Sequence, residues 1–136
     1  MKVFVDTSAL VALENRRDAV HAQAVRAYRK MLKASNELLT SDYVFDETIT
    51  LLKRRAGATI AAEWGRRLLS SRLFEVVFVD RAALDAGLQI FEQTADQPFS
   101  FTDCTSFALM RARDVGTAFA FDRDFTRFGF ELLPRS

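Results

Sequence analysis

The sequence predicts an α/β protein, a three-layer α/β/α domain with a central, mostly parallel sheet of about five strands. Three observations predict it. Short apolar, β-favouring runs at residues 3–5, 74–79 and 117–121 alternate with helical segments of a dozen or more residues, which implies right-handed crossovers and a sheet covered on both faces. The runs lack the polar alternation of a strand with one wet face, as expected of strands buried on both sides. The 136 residues contain only two prolines and five glycines against 49% hydrophobic residues, which describes a packed chain with short connections and no disordered tail.

The elements follow in order. Val3, Phe4 and Val5 form the first strand and Asp6 ends it. Leu10, Val11 and Leu13 have helical spacing, so Asp6 stands at the carboxyl end of a central strand, where a helix begins and where open α/β sheets bind ligands. Residues 15–18 read as a turn. Residues 19–34 form a helix whose stripe is Val20, Ala24, Val25, Tyr28, Met31 and Leu32, with Arg26, Arg29, Lys30 and Lys33 mostly outside it. Residues 37–41 form a second strand, and Asp42 is a suitable N-cap for a helix over 43–55. On a wheel of about 100° per residue, Val44, Phe45, Thr48, Leu51 and Leu52 share the apolar face. Asp46 falls opposite, beside Lys53, whereas Glu47 borders the apolar face one turn from Val44 and Leu51. Asp46 is therefore the solvent acid and Glu47 the site acid.

Gly57 breaks the pattern, and residues 59–70 resume it with Trp64, Leu68 and Leu69. Residues 74–79 carry the strongest β signal, and Asp80 caps a helix through Thr94 with Ala83, Leu84, Gly87, Leu88 and Phe91 as its inner face. After the loop at 95–101, Thr102-Asp103 opens a helix through Arg113. Cys104, Phe107, Leu109 and Met110 spread around it, so it is heavily buried. Residues 117–121 form a fourth strand that Asp122 ends just as Asp6 ends the first, and residues 130–133 form a fifth.

Length fits one domain over residues 1–136 that buries roughly two-thirds of its unfolded surface. Cys104 is the only cysteine, which rules out an internal disulfide and fits a reducing compartment. Asp6 interrupts what would be the apolar centre of an export signal, and no apolar run approaches the length of a membrane span. The expected location is the cytoplasm, with no membrane partner. Net charge is +1, but the basic residues cluster, notably at Arg16-Arg17, residues 26–33, residues 53–55 and residues 111–113. Distribution matters more than the sum for nucleic acid. Taken one at a time, such clusters are solvated helix faces; Arg16, Arg17, Lys53 and Arg54 are the ones that flank the acidic edge and offer charge to phosphates.

The chemistry lies in Asp6, Glu47, Asp103 and Asp122. Both strand-terminal aspartates leave the same sheet edge, and the helices starting at Tyr43 and Asp103 begin there too, so four carboxylates converge. Unneutralised, such a cluster raises its own pKa values and destabilises the fold. A divalent cation removes that cost. Hard oxygen donors select Mg²⁺ or Mn²⁺ over zinc, since His21 and Cys104 have no metal-ligand spacing. Singly, each aspartate also reads as a helix cap or turn residue and Glu47 as a surface acid.

These residues resemble the motifs of the PIN-domain nucleases, and particularly the VapC-type toxins of toxin-antitoxin modules. Residues 3–10 are similar to the family's opening motif, residues 42–47 to its second-acid region, Thr102-Asp103 to its third and residues 121–125 to its closing motif. The resemblance implies a Mg²⁺- or Mn²⁺-dependent endoribonuclease with Asp6, Glu47, Asp103 and Asp122 as catalytic and metal-binding acids. It also implies that Ser8 and Asp124 support the site. Ala120 departs from the family pattern, which often has threonine there. The implied partners are RNA, with tRNA as one candidate substrate, a small VapB-type antitoxin whose peptide lies along the cleft, and a second copy in a homodimer. A non-catalytic PIN-like domain that binds RNA or protein would have lost an acid, and none is missing. A nuclease for structured DNA would need helical elements for which the chain has little room. A dehalogenase-type phosphatase would need Asp where Ser8 stands.

Overall fold

The computed structural model describes residues 1–135. The elements are β1 (Lys2–Val5), α1 (Thr7–Glu14), α2 (His21–Lys33), β2 (Glu37–Ser41), α3 (Asp42–Ala56) and α4 (Ala58–Ser70), followed by β3 (Phe74–Val77), α5 (Arg81–Gln93), α6 (Phe101–Ala112), β4 (Thr117–Phe119), α7 (Asp124–Phe128) and β5 (Glu131–Leu133). The five strands form one sheet in the order β3-β2-β1-β4-β5, and every pairing is parallel. Val3, Phe4 and Val5 are fully buried on both sides of the sheet, as a three-layer α/β/α arrangement requires of its middle strand.

Phe107 of α6 is the centre of the aromatic core. Its ring stacks on Phe128 at 4.3 Å between centroids and meets Phe99 and Phe125 edge to face at 5.1 and 5.2 Å, the offset and T-shaped geometries that the ring quadrupole favours. On the opposite flank, Trp64 stacks on Phe45 at 5.3 Å and locks α4 against α3. Gly57, at a φ of 97°, joins α3 directly to α4, a conformation that a side chain would strain.

Several boundaries differ from the sequence expectation, each for a tertiary reason. Ser41 caps α3, accepting from the Val44 N–H at 3.0 Å. The Asp42 carboxylate accepts instead from the Val79 N–H at 2.8 Å, tying the exit of β3 to the start of α3. β3 lies at the edge of the sheet and ends at Val77, which leaves Phe78 exposed. α6 begins at Phe101 with Ser100 as its cap, so Asp103 is its third residue and completes a capping box. α7 has no signature in the sequence, because five residues leave no room for periodicity. His21 is half-buried, with its Nδ1 at 2.7 Å from the Ala12 carbonyl oxygen, and links α2 to α1.

On α5 the buried residues are Ala83, Gly87 and Ile90, while Leu88 and Phe91 are exposed. Small residues let α5 approach α6 closely, which rotates the bulky ones outward. A Cβ added at Gly87 would stand 3.1 Å from Thr105 Cγ2 and 3.3 Å from Thr105 Cα. Thr105 is fully buried and its backbone is fixed in α6. Gly87→Ala is therefore expected to destabilise the fold by about 1–2 kcal/mol, because the clash outweighs the roughly 1 kcal/mol helix-propensity gain of alanine. A rise in the denaturation midpoint would show that the helix pair has slack.

Candidate active site

Asp6 leaves the end of β1 through its own N–H, which donates to the Phe119 carbonyl oxygen of β4 at 3.0 Å. The adjacent Val5 carbonyl oxygen accepts from the buried Thr40 hydroxyl at 2.8 Å. These bonds fix the carboxylate between three strands. Asp6 also caps α1, its Oδ2 accepting from the Ser8 N–H at 3.2 Å and from Ser8 Oγ at 2.8 Å. Ser8 Oγ in turn accepts from the Phe121 N–H at 2.9 Å. One hydroxyl thus connects the opening acid to the chain just before Asp122.

Asp103 Oδ2 accepts from the Ser100 N–H at 3.0 Å, and Ser100 Oγ accepts from the Asp103 N–H at the same distance. Asp122 Oδ1 accepts from the Asp124 N–H at 3.0 Å. Glu47 stands half-exposed on α3, which is tied to α1 by Thr48 donating to Thr7 Oγ1 at 3.1 Å and by Thr7 approaching the Val44 carbonyl oxygen at 3.4 Å. The capping reading and the site reading coexist: the aspartates take local backbone bonds with one oxygen and still face a common space.

That space is a cavity of about 420 Å³ lined by Asp6, Ser8, Glu47, Asp103 and Asp122. The structure thus brings the four acids and Ser8 together. Asp124 does not line it; its carboxylate turns to Arg127, at 3.2 Å. Asp46 is exposed and outside it. Asp18 and Arg55 do line it as well; the sequence marks Arg55 only as part of the basic cluster at residues 53–55 and does not mark Asp18 as a site acid. The only signal at Asp18 was a turn, where its carboxylate accepts from the Val20 N–H at 3.0 Å. Arg16 and Arg17 line a neighbouring cavity that shares Arg55 with the acidic one. Lys53 and Arg54 line neither. A different cavity of about 440 Å³ is walled by Leu10, Tyr28, Trp64 and Phe74, and its one acid, Glu14, is paired with Arg67 at 2.8 Å. It gathers no free carboxylates, so the chemistry belongs to the acidic cavity.

Crowding shows in the acids themselves. Burial, then the charge of Asp122 and less so that of Asp103, push Asp6 up to about 8 against the two bonds from Ser8. Burial likewise raises Asp103 to about 7, with Asp122 and Asp124 adding to it and the Ser100 N–H opposing. Asp122 is raised too, chiefly by burial. Among the described residues no three acid, imidazole or thiol groups form a ready-made metal cage. Mg²⁺ needs none, since it is held by one or two carboxylates, with water and substrate phosphate completing its shell. Hard oxygen donors whose mutual repulsion raises their pKa fit such a cation.

Ser8→Ala would free both Asp6 Oδ2 and the Phe121 N–H. Loss of such a supporting hydrogen bond is expected to lower activity by about 10–100-fold, while Ser8→Thr retains more; equal activity in all three proteins would remove Ser8 from the site.

No helix among the described residues is long and apolar enough to cross a membrane. VapC20 of Mycobacterium tuberculosis, described as a 23S rRNA-specific endonuclease, is 39% identical over 138 residues, covering 97% of this chain and 98% of the relative. The crystal structure of VapC20, whose description is a sarcin-ricin loop cleaving toxin, matches with a TM-score of 0.85 at 33% identity, over 94% of this chain and 95% of that one. VapBC2 of Rickettsia felis, solved bound to promoter DNA, has a TM-score of 0.69 at 15% identity over 97% of both chains, a likeness of fold. The family model for the PIN domain matches residues 3–131. That span runs from the first strand to the last and takes in all four acids, and the chain belongs to the PIN-domain family.

Proposed function

We propose that this PIN-domain chain is a divalent-metal-dependent endoribonuclease that cuts large-subunit ribosomal RNA in the cytoplasm, as the toxin of a VapBC-type pair. The observation that carries the reading is the convergence of Asp6, Glu47, Asp103 and Asp122 on one cavity. VapC20, at 39% identity, supports rRNA over tRNA as substrate. Asp6, Glu47, Asp103 and Asp122 would together hold a Mg²⁺ or Mn²⁺ ion, one or two of them directly and the others through its waters. Such an ion, when bound, lowers the pKa of water and offsets charge on the phosphate. Ser8 keeps the Asp6 carboxylate aimed into the cavity. Glu47, on the α3 wall and half-exposed, accepts the proton of the attacking water at its carboxylate oxygen. Asp124 acts through Asp122, whose Oδ1 its N–H holds. The working unit is a homodimer, and a VapB-type antitoxin silences it with a peptide placed along the cleft.

Purified chain is tested on ribosomes, on free 23S rRNA and on tRNA, with Mg²⁺, with Mn²⁺ and with chelator, beside an Asp6→Asn, Asp103→Asn double variant. The expected result is one metal-dependent cut in 23S rRNA that the variant lacks. Cutting confined to tRNA would overturn the substrate, and no cutting of any RNA would overturn catalysis. A solution mass equal to one chain would contradict the dimer.

A further inference from the structure

An acidic site repels the phosphates it must hold, so an RNA-cutting chain needs cations placed beside it. Phe121 lines the acidic cavity and also a second cavity of about 420 Å³, together with Arg123, Gln23 and Arg135. Gln23 and Arg135 also line a third, of about 500 Å³, to which Arg26 and Lys30 belong. The three cavities therefore adjoin in a path that passes from the acids to the groove between α2 and the end of β5. Gln23, Arg26 and Lys30 lie at i, i+3 and i+7, one face of α2, and all three are exposed.

Among the described residues no carboxylate lines either outer cavity. Most ion-paired arginines lie elsewhere: Arg67, Arg81, Arg113 and Arg127 are each matched with an acid within 3.2 Å. By contrast, Arg26, Lys30 and Arg123 make no ion pair among the described residues, and Arg135 reaches Glu131 only at 3.7 Å. Unmatched cations along outer cavities that no described carboxylate lines fit a polyanion.

We propose that the RNA strand on one side of the scissile bond passes Phe121 and lies in this groove, where Arg123, Arg26 and Lys30 hold consecutive backbone phosphates. The inference rests on the ribonuclease reading above. An acidic segment of a protein would meet the same cations, but the path shares the Phe121 wall with the acidic cavity, which favours the substrate. The contacts are to the backbone, so they position the strand without reading its bases.

The test compares the full chain with an Arg26→Ala, Lys30→Ala, Arg123→Ala variant and with an Arg72→Ala, Arg81→Ala variant, whose exposed arginines flank β3 at the other end of the sheet. Cleavage of 23S rRNA is measured, and RNA binding is followed across salt concentration in an Asp103→Asn background. The triple variant is expected to raise KM by about tenfold or more with kcat little changed. Its slope of log affinity against log salt falls by about 2, at about 0.7 per single-strand phosphate contact. The Arg72, Arg81 variant matches the parent in both. If the parent cuts rRNA and the triple variant shows the same KM and slope, the path is wrong and the function stands. If the triple variant loses antitoxin affinity and binds RNA normally, the groove belongs to a protein. A parent that neither binds nor cuts RNA overturns the functional reading, and the path with it.

Discussion

An Asp6→Asn variant is expected to cut RNA at least about 10³-fold more slowly than the parent and yet to melt at a higher temperature in chelator at pH 8. The two effects have one cause. Asp6 is only 3% exposed and stands against Asp122 and Asp103, so its charge is what the cation requires and what the empty fold tolerates least. Asparagine keeps an oxygen to accept from Ser8 and removes the charge. Activity is followed on 23S rRNA and stability by thermal melts. Loss of activity with a lower melting temperature in chelator would mean that Asp6 contributes structure through its cap and that its charge is well solvated. Unchanged activity would remove it from catalysis.

The second large effect is on stability against pH. A carboxyl whose folded pKa is raised binds its proton more tightly folded than unfolded, so stability is fullest below the unfolded value and is lost as pH rises through the folded one. For Asp6 that window runs from 3.8 to about 8, and for Asp103 from 3.8 to about 7. In chelator the melting temperature is therefore expected to fall between pH 5 and pH 8, on the order of 5–10 °C. Saturating Mg²⁺ should abolish that fall or reverse it. The cation takes the deprotonated ligands and at 100 times its Kd contributes about 2.7 kcal/mol. Parallel curves with and without Mg²⁺ would mean the acids hold no cation. A flat curve in chelator would mean the carboxylates are not crowded.

Much of this was legible in the sequence, because the strands that carry the site are central. Residues 3–5 have no polar neighbours to confuse their reading, and Asp6 follows abruptly. Glu47 could be separated from Asp46 by helical phase alone, and the two do differ in exposure. What failed depended on contacts across the fold. Asp42 looks like a cap until β3 supplies the Val79 N–H. The inner face of α5 follows bulk on paper, but the approach of Gly87 to Thr105 decides it. Arg55 reaches the acidic cavity while Lys53 and Arg54 line neither cavity there, a difference of one residue in helical phase that composition does not register.

The Ser8–Phe121 hydrogen bond closes a loop in which the partners are 113 residues apart, and β1 takes β4 as its neighbour across a similar span. Contacts of that range form slowly, since closing so long a loop costs entropy before the contact rewards it. β1 can pair with β2 soon after both are made, but it waits for β4 before its other edge is covered. On a growing polypeptide, Asp6 has neither Asp103 nor Asp122 beside it until both have left the ribosome. If the proposed target is ribosomal RNA, the machine that makes this enzyme is spared by the order of synthesis until Asp122 has emerged to join Asp6.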